Sequence, residues 1–281
     1  MSRNERVARA RAETFRDEHA LGLRPLGDLF ELAHAAMRCD ALAMDADEVE
    51  HGLSMLDPVT GRIAIVVATT SHPMRQRSSL AHEIGHVVGG DLEAEAVTTP
   101  GERSPAEIQA DAFARHLLLP VAALRERFGP EARRAQVGEA ELADVVQEFE
   151  VSPSLAAIQF REARLIDRTT CTGWMPLRTA SVAARYGWLS QYQALALAST
   201  QPRAPQTLMR RAVEGYHRGI VDLDELAAWY GESPDELRVQ LGPPRDAPEE
   251  SDEYTGGDHI DDLDEDRPLF PPGFGAATPT S

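Results

Sequence analysis

The amino-acid sequence predicts an α+β fold that is mostly helical, with a small antiparallel sheet and a helical C-terminal region. Apolar residues recur at helical spacing along much of the 281-residue chain, and only two short runs have an extended, strand-like character. A hydrophobic content of 42% with 6% aromatic residues fits a helix-rich globular protein that buries one sizeable core or two smaller ones.

The N-terminal part of the chain contains two predicted helices followed by a hairpin. Apolar residues at helical spacing predict helices over 6–19 and 26–38. Residues 51–56 and 62–68 predict two antiparallel strands, because the intervening 57–61 contains the proline and glycine of a tight turn. The second strand leads almost directly to the next helix and, if its edge is open, could pair with an extended substrate; an ordinary buried strand is the alternative.

The motif His82-Glu83-Ile84-Gly85-His86 lies in that next helix. Histidines four residues apart lie on one helical face, where they can hold a single metal ion. With zinc bound there, Glu83 becomes a general base, which is the arrangement of a metal-dependent peptidase. We expect this helix to begin near Ser78 or Ser79 and to end at 89–90, where two glycines allow a left-handed residue.

A third metal ligand is predicted 21 residues after the motif, at Glu107. Asp111 lies on the same helical face and would accept the free ring N–H of a ligating histidine, which fixes the orientation of the ring. The predicted helix begins at Ser104 and ends before Pro120, so Glu107 is also placed to close a capping box with Ser104. Further candidates for the third ligand are Asp91, Glu93 and Glu95.

Two helical patterns over 139–149 and 154–166 are joined by a short turn and predict a helix-turn-helix. This segment is acidic, whereas a DNA-reading element would favour a basic second helix, so we expect it to pack on the catalytic core. Residues 180–242 predict further helices, including two short ones on either side of Gly231 that begin with capping boxes.

Composition restricts the class of protein. The net charge is −18, and residues 246–281 alone contain 11 acidic residues and one arginine, so we expect an acidic disordered tail and no direct nucleic-acid binding. No run is long and apolar enough to cross a membrane, and no signal sequence is evident, so a cytoplasmic protein is expected. The two cysteines, Cys39 and Cys171, are predicted to be reduced and structural.

The stretch from Arg75 to His86, together with Glu107-Ile-Gln-Ala-Asp111-Ala-Phe-Ala-Arg-His-Leu-Leu-Leu-Pro120, resembles the ImmA/IrrE family of metallo-endopeptidases. The resemblance covers about residues 25–166. It implies a zincin-like metallopeptidase core in which His82, His86 and Glu107 bind Zn²⁺, Glu83 is the catalytic base and Asp111 orients a ligand, with Mn²⁺ an alternative metal. It also implies a protein substrate, namely a helix-turn-helix repressor in stress-response or mobile-element regulation.

The predicted organisation has four parts: a metallopeptidase domain over 1–130, a helix-turn-helix-like extension over 131–178, a helical region over 179–243 and an acidic tail over 244–281. The HExxHxxGxxH pattern does not apply, because its third ligand would fall at Leu92, which cannot bind zinc, so a gluzincin-like set is preferred.

One alternative function is a non-cleaving regulator that binds a transcription factor through this core. A second is direct transcriptional regulation through the helix-turn-helix. Three histidines are candidates for stabilising an oxyanion: His51, His72 and His217.

Overall fold

The computed structural model describes residues 2–45, 52–58, 61–92, 104–129 and 137–244. The chain divides into two compact units, 1–203 and 204–281. The first unit contains, in chain order, α1 (Arg3–Glu18), α2 (Leu29–Met37), β1 (Asp40–Met44), β2 (Gly52–Leu56), β3 (Ile63–Ala68), α3 (Pro73–Gly89), α4 (Pro105–Leu118), α5 (Val121–Phe128), α6 (Glu139–Phe149), α7 (Pro153–Glu162), α8 (Arg168–Trp174), α9 (Thr179–Arg185) and α10 (Leu189–Ser199).

The predicted α+β class is confirmed, with one correction to the sheet. The three strands have the order β1-β3-β2, in which β2 and β3 form the predicted antiparallel hairpin and β1 pairs parallel with β3. The sheet is therefore mixed, and β1 is a strand that the sequence analysis missed. Its five residues include two alanines, which have low strand propensity, and its pairing depends on contacts distant in sequence.

The order of the strands also corrects which edge is open. The predicted substrate-pairing strand, β3, is the central strand and is paired on both sides. The outer edge of β1 is bridged at Ala43, whose backbone N–H donates to the carbonyl of Arg203 and whose carbonyl accepts from the Arg203 N–H. Within the part of the chain that the structure describes, no strand pairs with the outer edge of β2.

Helix α3 begins earlier than predicted and contains 17 residues. It starts at Pro73 rather than near Ser78, because proline at the first helical position needs no hydrogen-bond partner and already has a helical φ. The predicted end is confirmed, since Gly89 is the last helical residue and Gly90 adopts the left-handed conformation with φ of 70°. Arg75 and Arg77 consequently lie within the helix.

The first unit is organised around α4, which packs against α1 and α3. Ser104 caps α4 by accepting a hydrogen bond from the Glu107 N–H at 3.1 Å, and Pro105 is its first residue, both as predicted. Gly85 of α3 lies against the Ala110 backbone of α4: a Cβ atom at this glycine would lie 3.1 Å from the Ala110 Cα. The two helices that carry the predicted ligands are therefore in close backbone contact at Gly85.

The predicted helix pair at 139–166 is present as α6 and α7, and α7 packs on α4 and α5. Val182 and Trp188 are buried in the same hydrophobic core as α6 and α7. Helices α9 and α10 thus belong to the first unit, although the sequence analysis grouped 179–243 as one region. The boundary predicted at residue 130 stays a prediction.

The second unit has its own small core. It contains α11 (Gln206–His217), α12 (Leu223–Tyr230) and α13 (Pro234–Leu241), and its buried residues include Leu226 and Leu237. The two short helices predicted on either side of Gly231 are confirmed. Asp222 and Ser233 cap them. The predicted acidic tail lies outside the described residues. Among the residues that the structure describes, no helix has both the length and the apolar character to cross a bilayer.

Candidate metal centre

The predicted motif residues face a cleft of about 600 Å³ between β2, α3 and α4. Strand β2 lies against α3, which also packs on β3 and α4. The described residues lining the cleft are Gly52, Leu53, Ser54, Arg75, Ser78, Ser79, His82, Glu83, His86, Asp91, Leu92, Glu107 and Asp111. All five residues that the sequence predicts for the site therefore meet in one cleft.

Three predicted ligand residues, His82, His86 and Glu107, point polar atoms at a common centre. The two histidine Nε2 atoms lie 3.0 Å apart. The carboxylate oxygens of Glu107 lie 3.4 Å from Nε2 of His82 and 3.2 Å from Nε2 of His86. One atom from each residue falls within 4.8 Å of the others, which is a spacing that a single metal ion can bridge. The residues therefore come together as the sequence predicts.

Each histidine is oriented by a carboxylate at its other ring nitrogen. Nδ1 of His82 lies 2.9 Å from Oδ1 of Asp111, and Nδ1 of His86 lies 2.9 Å from Oδ1 of Asp91. Because a carboxylate can only accept, both Nδ1 atoms carry the proton in these contacts, so each ring, when neutral, presents the lone pair of its Nε2 atom to the centre. Asp91 was predicted only as an alternative ligand, and the structure places it at His86 Nδ1, in the same relation that Asp111 has to His82.

The structure shows one half of the capping box predicted for Ser104 and Glu107, while the carboxylate that would form the other half lies at the two histidines. The half that is present is the hydrogen bond from the Glu107 backbone N–H to the Ser104 side chain. The position at the start of α4 follows from Ser104 and Pro105, which fix where that helix begins. Glu93 and Glu95, the remaining alternative ligands, lie outside the described residues.

Glu83 is buried, with 7% of its surface exposed, and lies beneath β2. Its carboxylate is hydrogen bonded to the side chain of Ser54, and it lies so close to Gly52 that a Cβ atom there would be 2.8 Å from Oε1 of Glu83. Only glycine leaves room for this contact. Strand β2 therefore covers the predicted base directly.

Burial and neighbouring charges shift the pKa of two site residues. Burial raises the pKa of Glu83, and the Ser54 hydrogen bond and the nearby histidines only partly offset this effect. For His82, burial disfavours the charged ring, but the hydrogen bond and charge of Asp111 outweigh it and raise the pKa. The charges of Glu83 and Glu107 act on His82 in the same direction.

Several polar residues named from the sequence lie away from the cleft. His116, on the buried side of α4, contacts Glu5 and Gln159. His72 precedes α3 and is not among the residues that line the cleft. His217 belongs to the second unit, and His51 lies outside the described residues. Among the described residues that line the cleft, the only histidines are therefore the two predicted ligands, His82 and His86. No other histidine there is available to stabilise an oxyanion.

The two arginines of α3 have different surroundings. Arg77 is largely buried; it donates hydrogen bonds to the carbonyls of Leu26 and Gly27, each at 2.9 Å, and pairs with Glu150 at 3.2 Å. It therefore ties α3 to the chain before α2 and to the end of α6. Arg75, by contrast, is exposed and lines the cleft.

Comparison with known families agrees with this geometry. Residues 43–161 match the peptidase M78 family, described as an IrrE N-terminal-like domain. This region of the chain is therefore a domain of the metallopeptidase family, which confirms the resemblance predicted from the motifs. The matched region contains all of the cleft residues together with α6 and most of α7. A search of curated proteins found no significant match.

Sequence reasoning missed two contributors to the site, Gly52 and Ser54, and gave a third, Asp91, a different role, that of an alternative metal ligand. A signal for Asp91 exists, because an acid directly after the glycines that end α3 is five residues from His86, and the chain turns back there. No comparable signal exists for Gly52 and Ser54. Their position depends on how β2 packs across α3.

Proposed function

We propose that this protein is a zinc-dependent endopeptidase in which His82, His86 and Glu107 hold the metal ion and Glu83 is the general base. The observation that carries the proposal is the convergence of one ligand atom from each of the three residues within 4.8 Å, beside a buried glutamate. His₂Glu is a set of ligands that suits a catalytic zinc ion with an open coordination position. The same donors also accept Mn²⁺.

The donor set itself fits a cation. Two histidine Nε2 atoms and a carboxylate meet at the centre, and when both rings are neutral a positive charge between them would relieve the repulsion of their lone pairs. The carboxylates of Asp91 and Asp111 increase the basicity of the histidines and hold the rings in position. When bound, such a metal ion polarises the scissile carbonyl and lowers the pKa of a water molecule.

Glu83 would then move the proton. It takes a proton from the attacking water and delivers it to the leaving amine, so the peptide bond is hydrolysed without a covalent intermediate. Burial beneath β2 raises the pKa of Glu83, which makes its carboxylate a stronger base than an exposed glutamate. Ser54 holds the carboxylate by a hydrogen bond.

The outer edge of β2 offers a place for the substrate. Gly52 and Ser54 line the cleft, and Leu53 is 55% exposed. An extended peptide that pairs with this edge would pass over Glu83 and the three predicted ligands, with main-chain hydrogen bonds setting its register. We propose that the peptide belongs to a helix-turn-helix repressor, which is the substrate class implied by the ImmA/IrrE resemblance.

The test compares cells of the source organism that produce the wild-type protein with cells that produce Glu83→Gln. New protein N-termini are identified by mass spectrometry, and zinc content is measured on both purified proteins. We expect N-termini that occur only with the wild type, within a helix-turn-helix repressor, and equal zinc in both proteins. Glu126→Gln, a change of an exposed glutamate on α5, is the matched control and should behave as the wild type.

Three results would contradict parts of the proposal. Identical N-termini with wild type and Glu83→Gln would exclude Glu83 as the base and favour the non-cleaving regulator. Cleavage of an unrelated class of protein would exclude the repressor as substrate while leaving the peptidase assignment intact. Full zinc content in a Glu107→Ala variant would exclude Glu107 as the third ligand.

A further inference from the structure

A second cavity, of about 700 Å³, opens beside the cleft. The two cavities share Arg75 and Ser78, both on α3, so they meet along the N-terminal half of this helix. The other described residues that line the second cavity lie at the start of α3, on α7, α9 and α10, and next to these helices; they include His72, Ser152, Arg178, Thr179 and Tyr192. A peptide lying in the cleft can therefore extend into this second cavity.

The charge of the second cavity is opposite to that of the protein. Its described lining residues include Arg75, Arg178 and His72 and contain neither aspartate nor glutamate, although the chain as a whole has a net charge of −18. Helices α3 and α7 both begin at the cavity, and neither has an acidic residue in its first turn, so their dipoles add to the positive potential of the arginines. The local potential therefore favours an anionic group.

Arg178 is the lining cation whose charge is not used by the fold. Its exposed side chain makes no ion pair or hydrogen bond with the residues that the structure describes, and its backbone serves as the N-cap of α9. Arg77 provides the contrast, since it is mostly buried and its guanidinium bonds two carbonyls and pairs with Glu150. The guanidinium of Arg178 is thus available to a ligand, at no cost in a broken intramolecular contact.

We propose that the second cavity, hereafter the basic subsite, binds an acidic side chain of the peptide substrate and so contributes to the choice of cleavage site. This inference rests on the proposed peptidase function. Arg178 and Arg75 would pair with the aspartate or glutamate. The hydroxyl groups of Ser78 and Thr179 can donate further hydrogen bonds to its carboxylate.

The geometry of α3 indicates how far this side chain lies from the scissile bond. Arg75 precedes His82 by seven residues, or about 10 Å along a helix with a rise of about 1.5 Å per residue. An extended peptide covers that distance in about three residues. Because arginine side chains are long, we expect the acidic residue roughly two to four positions from the cleaved bond.

The experiment uses the full-length protein loaded with Zn²⁺ and a peptide library prepared by digesting a cell proteome. Cleavage sites are identified by mass spectrometry, and the residues around them are compared with the library background. For the wild type we expect aspartate or glutamate to be favoured roughly five- to tenfold over glutamine at one position two to four residues from the cleaved bond. This preference should weaken in high salt, because an exposed ion pair is screened.

Two substitutions test whether the preference for acidic residues comes from the basic subsite. Arg178→Gln removes the charge and should flatten the acidic preference, whereas Arg178→Glu reverses the charge and should favour lysine or arginine at the same position. The reversal also demonstrates that the variant is folded. Arg168→Glu is the matched control, since this exposed arginine of α8 lines neither cavity and should leave the acidic preference unchanged.

The outcomes separate this inference from the proposed function. Cleavage without any acidic preference would overturn the basic subsite while leaving the peptidase in place. An acidic preference that persists in Arg178→Gln and Arg178→Glu would overturn its assignment to this cavity. The absence of all cleavage by the zinc-loaded wild type would overturn the proposed function, and the basic subsite with it.

Discussion

Gly52 lies against the carboxylate of Glu83, so closely that a methyl group on Gly52 would lie 2.8 Å from Oε1 of Glu83. One of these residues is on β2 and the other is on α3. The contact therefore joins the strand that faces the proposed substrate to the proposed base. Ser54, also on β2, holds the same carboxylate by a hydrogen bond.

Gly52→Ala should displace this carboxylate and lower kcat/KM on a cleaved peptide by about 100-fold, because misplacing a catalytic group by about 1 Å has an effect of that size. The zinc content should not change, since the three atoms nearest to the added methyl group all belong to Glu83 and not to a predicted ligand. Gly27→Ala is the matched control, because a Cβ atom at Gly27 meets nothing within 4 Å. Equal activity of the two variants would show that Glu83 does not need this position.

Asp91→Asn should weaken zinc affinity by about tenfold or more, because it removes the charge that orients His86 and increases its basicity. Competition with a chelating dye measures the change. Asp17→Asn, at an exposed position of α1, is the control and should bind zinc as the wild type does. An Asp91→Asn variant with unchanged affinity would show that Asp91 does not support the ligand.

Gly85→Ala should separate α3 from α4, because the added methyl group would lie 3.1 Å from the Ala110 Cα and equally close to the Phe113 ring. We expect a loss of about 1–3 kcal/mol in the free energy of unfolding, together with weaker zinc binding. Gly173→Ala, in α8, meets nothing within 4 Å and should instead stabilise by up to about 1 kcal/mol. Urea denaturation of the two metal-free variants measures both changes.

Glu5 should contribute stability that depends on pH. Its hydrogen bond with His116 and its pairing with Arg115 lower its pKa to about 2, from an ordinary value of 4.5. Since the folded protein holds this carboxylate ionised, the contribution is complete above about pH 4.5 and is lost as the pH falls towards about 2. Glu5→Gln should therefore lower the free energy of unfolding at pH 7 by about 1–3 kcal/mol.

Urea denaturation at pH 7 and at pH 3 measures this effect. The difference in stability between wild type and Glu5→Gln should shrink at the lower pH. Glu13→Gln, on an exposed part of α1, should change stability by less than about 0.5 kcal/mol at either pH. A wild-type advantage that stays constant between the two pH values would contradict the proposed ionic contribution.

Where a residue's position depends on local spacing along a helix, the position was predicted correctly. His82 and His86 lie on one face of α3 because they are four residues apart, and Glu107 and Asp111 share a face of α4 for the same reason. The helix ends marked by Ser104 and Gly90 were equally readable, because capping chemistry acts within one turn.

Features that depend on distant contacts were not predicted. The strand β1 acquires its place only by pairing parallel with β3, and the open edge falls on β2 because β3 is held between both neighbours. The start of α3 was misplaced for a different reason. Two serines, Ser78 and Ser79, offered a conventional cap, while the actual start at Pro73 has no side-chain cap and is indicated only by the proline.

The predicted site residues and the surfaces proposed to contact the substrate lie on different elements, and this separation affects how relatives of this protein can diverge. The predicted base and the three predicted ligands all lie on α3 and α4, whereas β2, α7 and α9 contribute surfaces that a substrate would meet. A duplicated gene could therefore acquire a new target through changes in a strand edge or a cavity wall, while its hydrolytic chemistry is inherited unaltered on two helices. In such a lineage, the sequences of α3 and α4 would stay similar, whereas the residues of the surrounding surfaces would differ between relatives.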